Sequence, residues 1–379
     1  LGEQGADIIK VEPPGLGDLG RFMGDGRGGM SAMFATLNRN KRSVALDLKD
    51  ENEMAMFRQL AARTDVLIEN YRPGIPEKLG IDYAALSKSN PGLICCSITG
   101  YGQDGPYAHR RVYDPLIQAT VGASCAQGVE RAQNIRSVLF DKVAGYTAAQ
   151  SITAALFQRE RSGQGRHLEV SMLGAGLFFQ WPDVMWSHTY QGEGVSSSGP
   201  LADWFSVFRA RDGDIAAVVM VADVFFQACC EILEIQLHQD ERFATFGARI
   251  ANRASMQEQI DAAMSTRSVD ELVAAFDAAD IPVARVNELH QVLSDPQVLA
   301  QDAIVDAEHP TSGAMKVARW PVAATAHEPG AGRPAPLLGE HSAEILGELG
   351  VDSRDIERMA QREAQNREFL KDFRLDQAS

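Results

Sequence analysis

The first half of the chain alternates short apolar runs with longer segments in which apolar residues recur at helical spacing. The longer segments predict helices at residues 51–63 and 141–161, with shorter ones at 73–79, 83–87 and 114–125. The short runs predict strands at residues 6–12, 44–48, 66–70, 93–99 and 166–172. Because strands that alternate with helices form βαβ units, this half predicts an α/β domain with a parallel sheet.

The pattern changes after QGEGVSSSGP at residues 191–200, a small, polar segment that predicts a linker. Before it, an apolar helix is expected to run to about Tyr190. After it, strands at 204–209 and 215–221 flank Asp212 and Gly213, a dipeptide typical of hairpins. Further helices are predicted at residues 222–233, 249–265 and 269–278.

These patterns predict a large domain in residues 1–190, the linker, a small α+β domain in 201–315, and a return to the large domain in 316–379. A stretch rich in Pro and Gly at 328–338 precedes the C-terminal helices. The chain starts at Leu1 with a segment typical of a helix end followed by a strand, so we expect that an N-terminal piece precedes it.

The net charge of the chain limits the classes of ligand that it is expected to bind. The 379 residues carry a formal charge of −15, which argues against a nucleic-acid scaffold. A phosphorylated small molecule stays compatible, because it needs only a local basic patch. Basic residues are frequent early in the chain, and they either form such a patch or face solvent, the simpler interpretation: Lys10, Arg21, Arg39, Lys41, Arg42, Lys49, Arg72 and Lys78.

The five cysteines show no C-x-x-C spacing, so neither a zinc site nor a thioredoxin-type motif is indicated. Reduced thiols in a cytoplasmic protein are the simplest interpretation. No apolar stretch of about eighteen residues occurs, so we expect no membrane span. G-x-S-x-G and H-E-x-x-H are also absent from the sequence, which argues against a serine hydrolase or metalloprotease of those types.

A G-x-G-x-x-G match at residues 15–20 follows the first predicted strand and suggests nicotinamide binding. The dinucleotide fold requires a helix N-terminus directly after this loop. Here Pro13 and Pro14 separate the strand from the loop, and RFMGDGRGG at residues 21–29 cannot open a long helix. We therefore interpret the motif as a chance match, and a dehydrogenase as a distant alternative.

Asp141 lies at the start of the long predicted helix and has two interpretations. The simpler one is an N-cap, whose carboxylate accepts hydrogen bonds from free backbone N–H groups. The other is a nucleophile, because a helix N-terminus favours the ionised carboxylate that attacks a carbonyl. An aromatic stripe at Trp181, Met185, Trp186 and Tyr190 similarly predicts either a core face or the wall of a substrate pocket.

Six segments, in this order, resemble the class III CoA-transferase family. This is the CaiB/BaiF group of carnitine and bile-acid CoA-transferases, which also contains formyl-CoA:oxalate transferase and α-methylacyl-CoA racemase. The segments are GADIIKVEPPGLGDLGR from Gly5, NRNKRSVALDLK from Asn38, DVLIENYRPGIPEKLGID from Asp65, LICCSITGYGQDGPYAHRRVYD from Leu93, GQGRHLEVSML from Gly163 and PLLGEHSAEILGELG from Pro336.

The resemblance implies a Rossmann-like large domain that binds CoA, a smaller α+β domain and an interlocked homodimer. It implies a transferase with Asp141 as nucleophile, acyl-CoA and a carboxylic acid as substrates, and neither a metal nor a tightly bound cofactor. Tyr113, Asp114 and Trp181 are assigned to the substrate pocket. The positions that match the family's CoA-contacting region are Leu46, Lys49, Asn70, Tyr71, Arg72, Lys78, Leu79 and Arg111.

The implied reaction passes through an aspartyl anhydride and an aspartyl-CoA thioester. A racemase of 2-methylacyl-CoA thioesters is the main alternative, but that branch has a His-Asp pair where Tyr113 and Asp114 stand. With an ordinary pKa near ~10, Tyr113 would be a poor base at neutral pH. A non-catalytic CoA-binding protein is the other alternative. Residues 192–199 contain only three glycines, unlike the flap of the formyl-CoA branch, which argues against oxalate as acceptor.

Overall fold

The computed structural model describes residues 1–128, 130–196, 200–322 and 332–370. The strands of these residues are β1 Ile8–Glu12, β2 Gly26–Arg27, β3 Met30–Ser31, β4 Lys41–Ala45, β5 Val66–Glu69, β6 Ile94–Thr99, β7 Arg166–Ser171, β8 Ser206–Arg209, β9 Asp214–Ala217, β10 Val283–Arg285, β11 Ile304–His309 and β12 Gly313–Ala318. Part of the predicted linker, 197–199, and the first part of the Pro/Gly-rich stretch, 328–331, lie outside the described residues.

The helices are α1 Ala32–Leu37, α2 Glu51–Arg63, α3 Ile75–Leu79, α4 Tyr83–Leu86, α5 Asp114–Thr120, α6 Ala123–Gln127, α7 Phe140–Ser162, α8 Met172–Gln180, α9 Asp223–Leu233, α10 Phe246–Ala251, α11 Arg253–Met264, α12 Val269–Ala278, α13 Pro296–Ala300, α14 Ser342–Glu348 and α15 Ser353–Leu370. Single 3-10 turns occur at Gly2–Gln4, Leu19–Phe22, Trp186–His188, Leu201–Trp204, Leu237–Gln239, Glu241–Phe243 and Gln291–Ser294. Within the described residues, no helix is both long and apolar enough to cross a bilayer.

Two units divide the chain. The first consists of Leu1–Val121, Ile135–Gly176 and Leu293–Ser379, and the second of Gly122–Asn134 and Leu177–Val292. Compared with the predicted domains, residues 122–134 and 177–190 group with the second unit and residues 293–315 with the first. The chain therefore passes between the units more often than its composition indicates.

Parallel pairing dominates the first unit, as the alternating pattern predicts. β5, β6 and β7 form a three-stranded parallel sheet with β6 in the centre. β1 and β4 form a separate parallel pair, while β2–β3 and β11–β12 are antiparallel. Helix α7 packs on β6 and β7, and its buried residues include the small side chains of Ala144, Ala148 and Ala155. It ends at Gly163, whose φ of 69° favours glycine.

Strand β4 begins at Lys41, earlier than the predicted strand at 44–48. Its first residues are polar, so they hide the strand from a search for apolar runs. Arg42 and Ser43 are nevertheless buried, because Arg42 bonds to Asp7 and Glu344, and the Ser43 hydroxyl donates to Glu12 Oε1 at 2.7 Å. Buried polar side chains with bonded partners thus replace apolar contacts at this strand.

The second unit contains the predicted hairpin. β8 and β9 pair antiparallel across Asp212 and Gly213, and β10 adds to the other edge of β9. The apolar core of this sheet and its helices includes Phe208, Ile215, Phe226, Phe243 and Phe276.

Three predicted helices differ from those observed. The predicted helix at 114–125 is divided into α5 and α6 at Val121 and Gly122. The predicted helix at 249–265 is divided into α10 and α11 at Asn252. Helix α8 ends at Gln180 rather than near Tyr190, because Pro182 follows and disfavours helix at the residue before it.

Candidate active site

The start of α7 is capped by a residue from another helix. The capping position, Leu139, has no side chain able to accept a bond from the first turn. Asp114 supplies the acceptor instead: its Oδ1 accepts from the backbone N–H groups of Phe140 at 2.5 Å and Asp141 at 3.2 Å. The interpretation of Asp141 as the N-cap is therefore wrong, and its carboxylate is left free of this task.

Asp114 is itself held by Gln118, four residues further along α5. The Gln118 amide donates to Asp114 Oδ2 at 2.5 Å and to the carbonyl oxygens of Ile135 and Ser137 at 3.3 and 3.1 Å. Its oxygen accepts from the Ile135 N–H at 2.7 Å. Asp114 and Gln118 are only 2% and 1% exposed. Sequence reasoning missed Gln118, although the i,i+4 spacing places both side chains on one helix face.

The Asp141 carboxylate is accessible at the surface of the first unit. Its pKa is raised above the usual value for an aspartate, chiefly because nearby protein atoms remove water and also because the negative charge of Asp114 is close. Lys142 opposes this shift. This direction contradicts the expectation that the helix N-terminus favours the ionised form. The physical reason is, first, the loss of water around the carboxyl group and, second, the negative charge of Asp114, which already accepts from the first N–H groups of the helix.

The predicted CoA-contacting cations share one property. Within the residues that the structure describes, Lys49, Arg72, Lys78 and Arg111 are exposed and make no ion pair. Arg72 follows Asn70 and Tyr71 in the turn after β5, where both are also exposed. Ligands of parallel α/β sheets commonly bind at such turns after the carboxyl ends of strands.

Other members of the early basic cluster are already paired. Lys10 lies 2.6 Å from Asp18, Arg39 lies 2.8 Å from Glu3, and the buried Arg21 lies 2.6 Å from Glu12. Lys41 donates to Asn38 at 2.9 Å. These side chains serve the fold, so the structure divides the basic cluster into a paired group and an unpaired one.

The two leucines of the predicted CoA-contacting set both contact the hydrophobic core of the first unit. Leu46 is 2% exposed in the core of the first unit, so its side chain is not available to a ligand. Leu79 is partly buried and packs against the same core. Any contact from Leu46 to CoA would have to come from its backbone.

The residues assigned to the substrate pocket are distributed between the two units. Tyr113 is 75% exposed beside the buried Asp114. The carboxylate of Asp114 is occupied by the start of α7, which gives it a task other than contact with substrate. Trp181 belongs to the second unit, where its indole N–H donates to the Thr189 hydroxyl at 3.1 Å. Trp186 and Trp204 pack there with ring centroids 5.6 Å apart.

The loop at residues 15–20 does not open an α-helix. Asp18 accepts from the Gly20 N–H at 2.8 Å and starts only the 3-10 turn Leu19–Phe22, while Arg21 points back to Glu12. Gly17 has a φ of 68° and lies against Leu338, which explains the glycine without a nucleotide. The dismissal of the dinucleotide motif agrees with this geometry.

A cavity of about 140 Å³ lies on the face of the β5–β6–β7 sheet and was not anticipated from the sequence. Ser97 and His167 Nε2 lie 2.8 Å apart in its wall, and the Tyr83 ring stacks on His167 at 5.8 Å. Glu69 and Glu169 also line it. Across the described ranges, no cluster of His, Cys, Asp and Glu side chains is arranged to hold a metal ion.

Comparison with known proteins places this site in a family. The profile of CoA-transferase family III matches residues 1–342. The chain belongs to CoA-transferase family III. This confirms the resemblance drawn from the six segments, and it identifies the protein as a transferase.

Relatives in this family III group support the same assignment over most of the chain. The chain is 33% identical to the acetyl-CoA:oxalate CoA-transferase of Acetobacter aceti, over 93% of this chain and 90% of that protein. It is 31% identical to the succinyl-CoA:glutarate CoA-transferase of Homo sapiens, over 94% and 83% of the two chains. A solved structure of a CaiB/BaiF family protein from Brucella suis matches with a TM-score of 0.79 and 31% identity, over 92% and 93%.

Proposed function

We propose that this family III transferase moves CoA from an acyl-CoA thioester to a carboxylic acid, with the Asp141 carboxylate as nucleophile. The observation that supports this most is the start of α7, where Asp114 performs the capping and the Asp141 carboxylate stays accessible, without a hydrogen bond from the described residues. The raised pKa of Asp141 makes its ionised form more basic, which favours attack once the proton is lost.

The proposed reaction has two halves. Asp141 attacks the thioester carbonyl, the C–S bond breaks, and an acyl-aspartyl anhydride and CoA thiolate form. The thiolate then attacks the aspartyl carbonyl, which releases the donor acid and leaves an aspartyl-CoA thioester. The acceptor carboxylate attacks this thioester, and the same steps in reverse produce the new acyl-CoA. An anhydride suits this exchange because it preserves the reactivity of a thioester, whereas an ester would lose it.

We propose that the unpaired cations hold the CoA phosphates throughout these steps. Lys49, Arg72, Lys78 and Arg111 have no protein counter-charge among the described residues, so an anionic ligand can neutralise them without breaking an existing ion pair. In a chain with a net charge of −15, exposed cations without a protein counter-charge are the groups with which an anionic ligand can pair. Retained CoA is also what permits the thiolate to attack twice.

The acceptor is proposed to be a small dicarboxylic acid. The names of several relatives contain oxalate, glutarate, citramalate or mesaconate, all of which carry two carboxyl groups. The glycine-poor segment 192–199 argues against oxalate, whereas the Acetobacter aceti relative bears oxalate in its name. Oxalate therefore belongs in the panel of acceptors to be tested.

We further propose a homodimer. Helix α7 leaves Tyr146 and Phe157 at 69% and 62% exposed in the single chain, and a second copy is the simplest cover for such a face. The family's interlocked pair of rings agrees with a chain that passes several times between two units. Light scattering coupled to size exclusion measures the mass in solution, and a monomer would refute this part of the proposal.

The experiment that tests the reaction uses hydroxylamine, which converts activated carboxyl groups to hydroxamates. The protein is incubated with acetyl-CoA or succinyl-CoA and hydroxylamine, digested, and examined by peptide mass spectrometry. We expect a hydroxamate on Asp141 that requires the thioester. Modification of a different carboxylate would assign another nucleophile, and no modification with any acyl-CoA of the panel would refute covalent transfer.

The alternatives predict different readouts. A racemase would exchange the α-hydrogen of a 2-methylacyl-CoA with deuterated water in the absence of an acceptor acid. A non-catalytic binding protein would retain CoA without forming any Asp141 adduct. We expect no α-exchange, because Tyr113 takes the place of the histidine of the racemase branch.

A further inference from the structure

The nucleophile proposed above lies at the end of a segment that the fold holds by a side chain rather than by secondary structure. Residues 135–139 precede α7 and belong to neither helix nor strand. Gln118 bonds to the N–H and C=O of Ile135 and to the C=O of Ser137, so it holds this segment at two points. The same amide also bonds to Asp114, which caps α7.

We infer that Gln118, acting through Asp114, is a positioning residue that fixes where the Asp141 carboxylate lies and points. This rests on the proposed function of Asp141. The argument is geometric: Asp114 has one oxygen on the backbone of Phe140 and Asp141, and its other oxygen on Gln118. Rotation of the Asp114 carboxylate would break bonds at both ends. The Gln118 amide is in turn anchored to the segment that leads into α7, so the network forms a closed loop.

The network also explains why two carboxylates are kept close together at this site. Buried Asp114 satisfies the first N–H groups of α7, which otherwise would attract the Asp141 side chain as an intrahelical cap. Its charge and that of Lys142 are the ones that act on Asp141. Gln118 donates to the other oxygen of Asp114 and so holds the carboxylate in the capping orientation. The arrangement keeps Asp141 out of the helix cap, available for attack, and more basic than an ordinary aspartate.

The test compares Gln118→Met with a matched control. Methionine keeps the length of the side chain and removes its hydrogen bonds. Asn90→Leu is the control, because the Asn90 amide likewise donates to two backbone carbonyls of the first unit, those of Ala61 and Thr64, away from the start of α7. Both variants are compared with the unchanged protein for kcat, KM for acyl-CoA, melting temperature and the rate of Asp141 hydroxamate formation.

We expect Gln118→Met to lower kcat and the hydroxamate rate roughly 100-fold with KM for acyl-CoA little changed, since small misplacement of a reacting group has effects of this size. Asn90→Leu should leave kcat per folded molecule within about twofold, whatever it does to the melting temperature. If Gln118→Met loses no more kcat than the control does, the inference is overturned. The proposed function fails separately, when the unchanged protein forms no Asp141 adduct.

A second variant keeps the test decisive if Gln118→Met does not fold. Asp114→Asn retains an oxygen that can cap α7 and removes the charge. A carboxyl with a raised pKa is active only above that pKa, so kcat of the unchanged protein falls as pH decreases through a value above the ordinary one for aspartate. Asp114→Asn should move this acid limb to lower pH. A limb that stays in place would show that Asp114 does not act on Asp141, which contradicts the inference.

Discussion

Charged side chains are used in opposite ways in two regions of the first unit. Around β1 and β4 the arginine side chains are buried and paired, as in the contact of Arg21 with Glu12 and the bonds of Arg42 with Asp7. In α3 and at the start of α7 charged side chains are exposed and make no ion pair with a described residue, as at Lys78 and Asp141. The comparison teaches that a charge which already has a protein partner serves stability, while one without a partner is available to a ligand or a reaction.

The largest expected effect is on turnover at the unpaired carboxylate. Asp141→Ala should lower kcat by roughly 10⁴-fold or more, because removal of a covalent nucleophile abolishes the chemical route. The melting temperature should stay equal or rise. A raised pKa in the folded state means that folding disfavours the ionised form, so a neutral residue relieves that cost at neutral pH. Steady-state kinetics and calorimetry measure the two effects, and a strong loss of stability would contradict the comparison.

The next largest effect is expected on the free energy of unfolding, at the buried pair of Arg21 and Glu12. Arg21→Met leaves Glu12 buried without its partner, and we expect a loss of about 3–5 kcal/mol in the free energy of unfolding. Urea denaturation monitored by circular dichroism measures it. The double variant Arg21→Met with Glu12→Gln should recover part of the loss, because no uncompensated charge remains. Unchanged stability of the single variant would show that this pair does not support the fold.

A smaller effect is expected at the exposed cations. Lys78→Met should raise KM for acyl-CoA roughly tenfold with kcat little changed, because a lost phosphate contact weakens ground state and transition state alike. Stability should not change. The matched control is Lys88→Met, another exposed lysine of the same unit that is outside the predicted CoA-contacting set. Equal KM values for the two variants would remove Lys78 from the CoA site.

The smallest effect on stability is expected at an exposed ion pair. It shows whether burial or pairing decides how much a charge contributes to the free energy of unfolding. Lys316 and Asp306 lie 2.6 Å apart on β12 and β11, with 55% and 84% of their side chains exposed. Asp306→Asn should cost less than about 1 kcal/mol, the usual limit for an exposed pair. A loss as large as that of Arg21→Met would mean that pairing alone, rather than burial, decides which charges support the fold.

The difference between paired and unpaired charges also explains how much of the fold could be predicted from the sequence. Apolar periodicity located α2, α7, the parallel strands of the first unit and the β8–β9 hairpin. It failed at the start of β4, where the buried Arg42 and Ser43 take the place of apolar side chains. Periodicity reports which residues avoid water, and a charge that is buried with its partner does not carry that signal.

The sequence likewise indicated some residues of the candidate site and missed others. The resemblance carried by the six segments predicts Asp141 as nucleophile and Lys49, Arg72, Lys78 and Arg111 as CoA contacts, and these stay predictions. It gave no sign of Gln118 or of the cap that Asp114 provides. Those contacts join α5 to the segment before α7, and their partners lie 17 to 27 residues apart in the chain. No local pattern reveals which backbone groups a distant side chain will satisfy.

One measurement tests the nucleophile directly. If the acceptor acid carries heavy oxygen in its carboxyl group, the proposed sequence leaves one of those oxygens in the side chain of Asp141 at the end of each turnover. Peptide mass spectrometry after turnover should then find the heavy isotope at Asp141, and Asp114 should remain unlabelled. Turnover that leaves Asp141 without heavy oxygen would show that CoA passes between acids by a route that does not include this carboxylate.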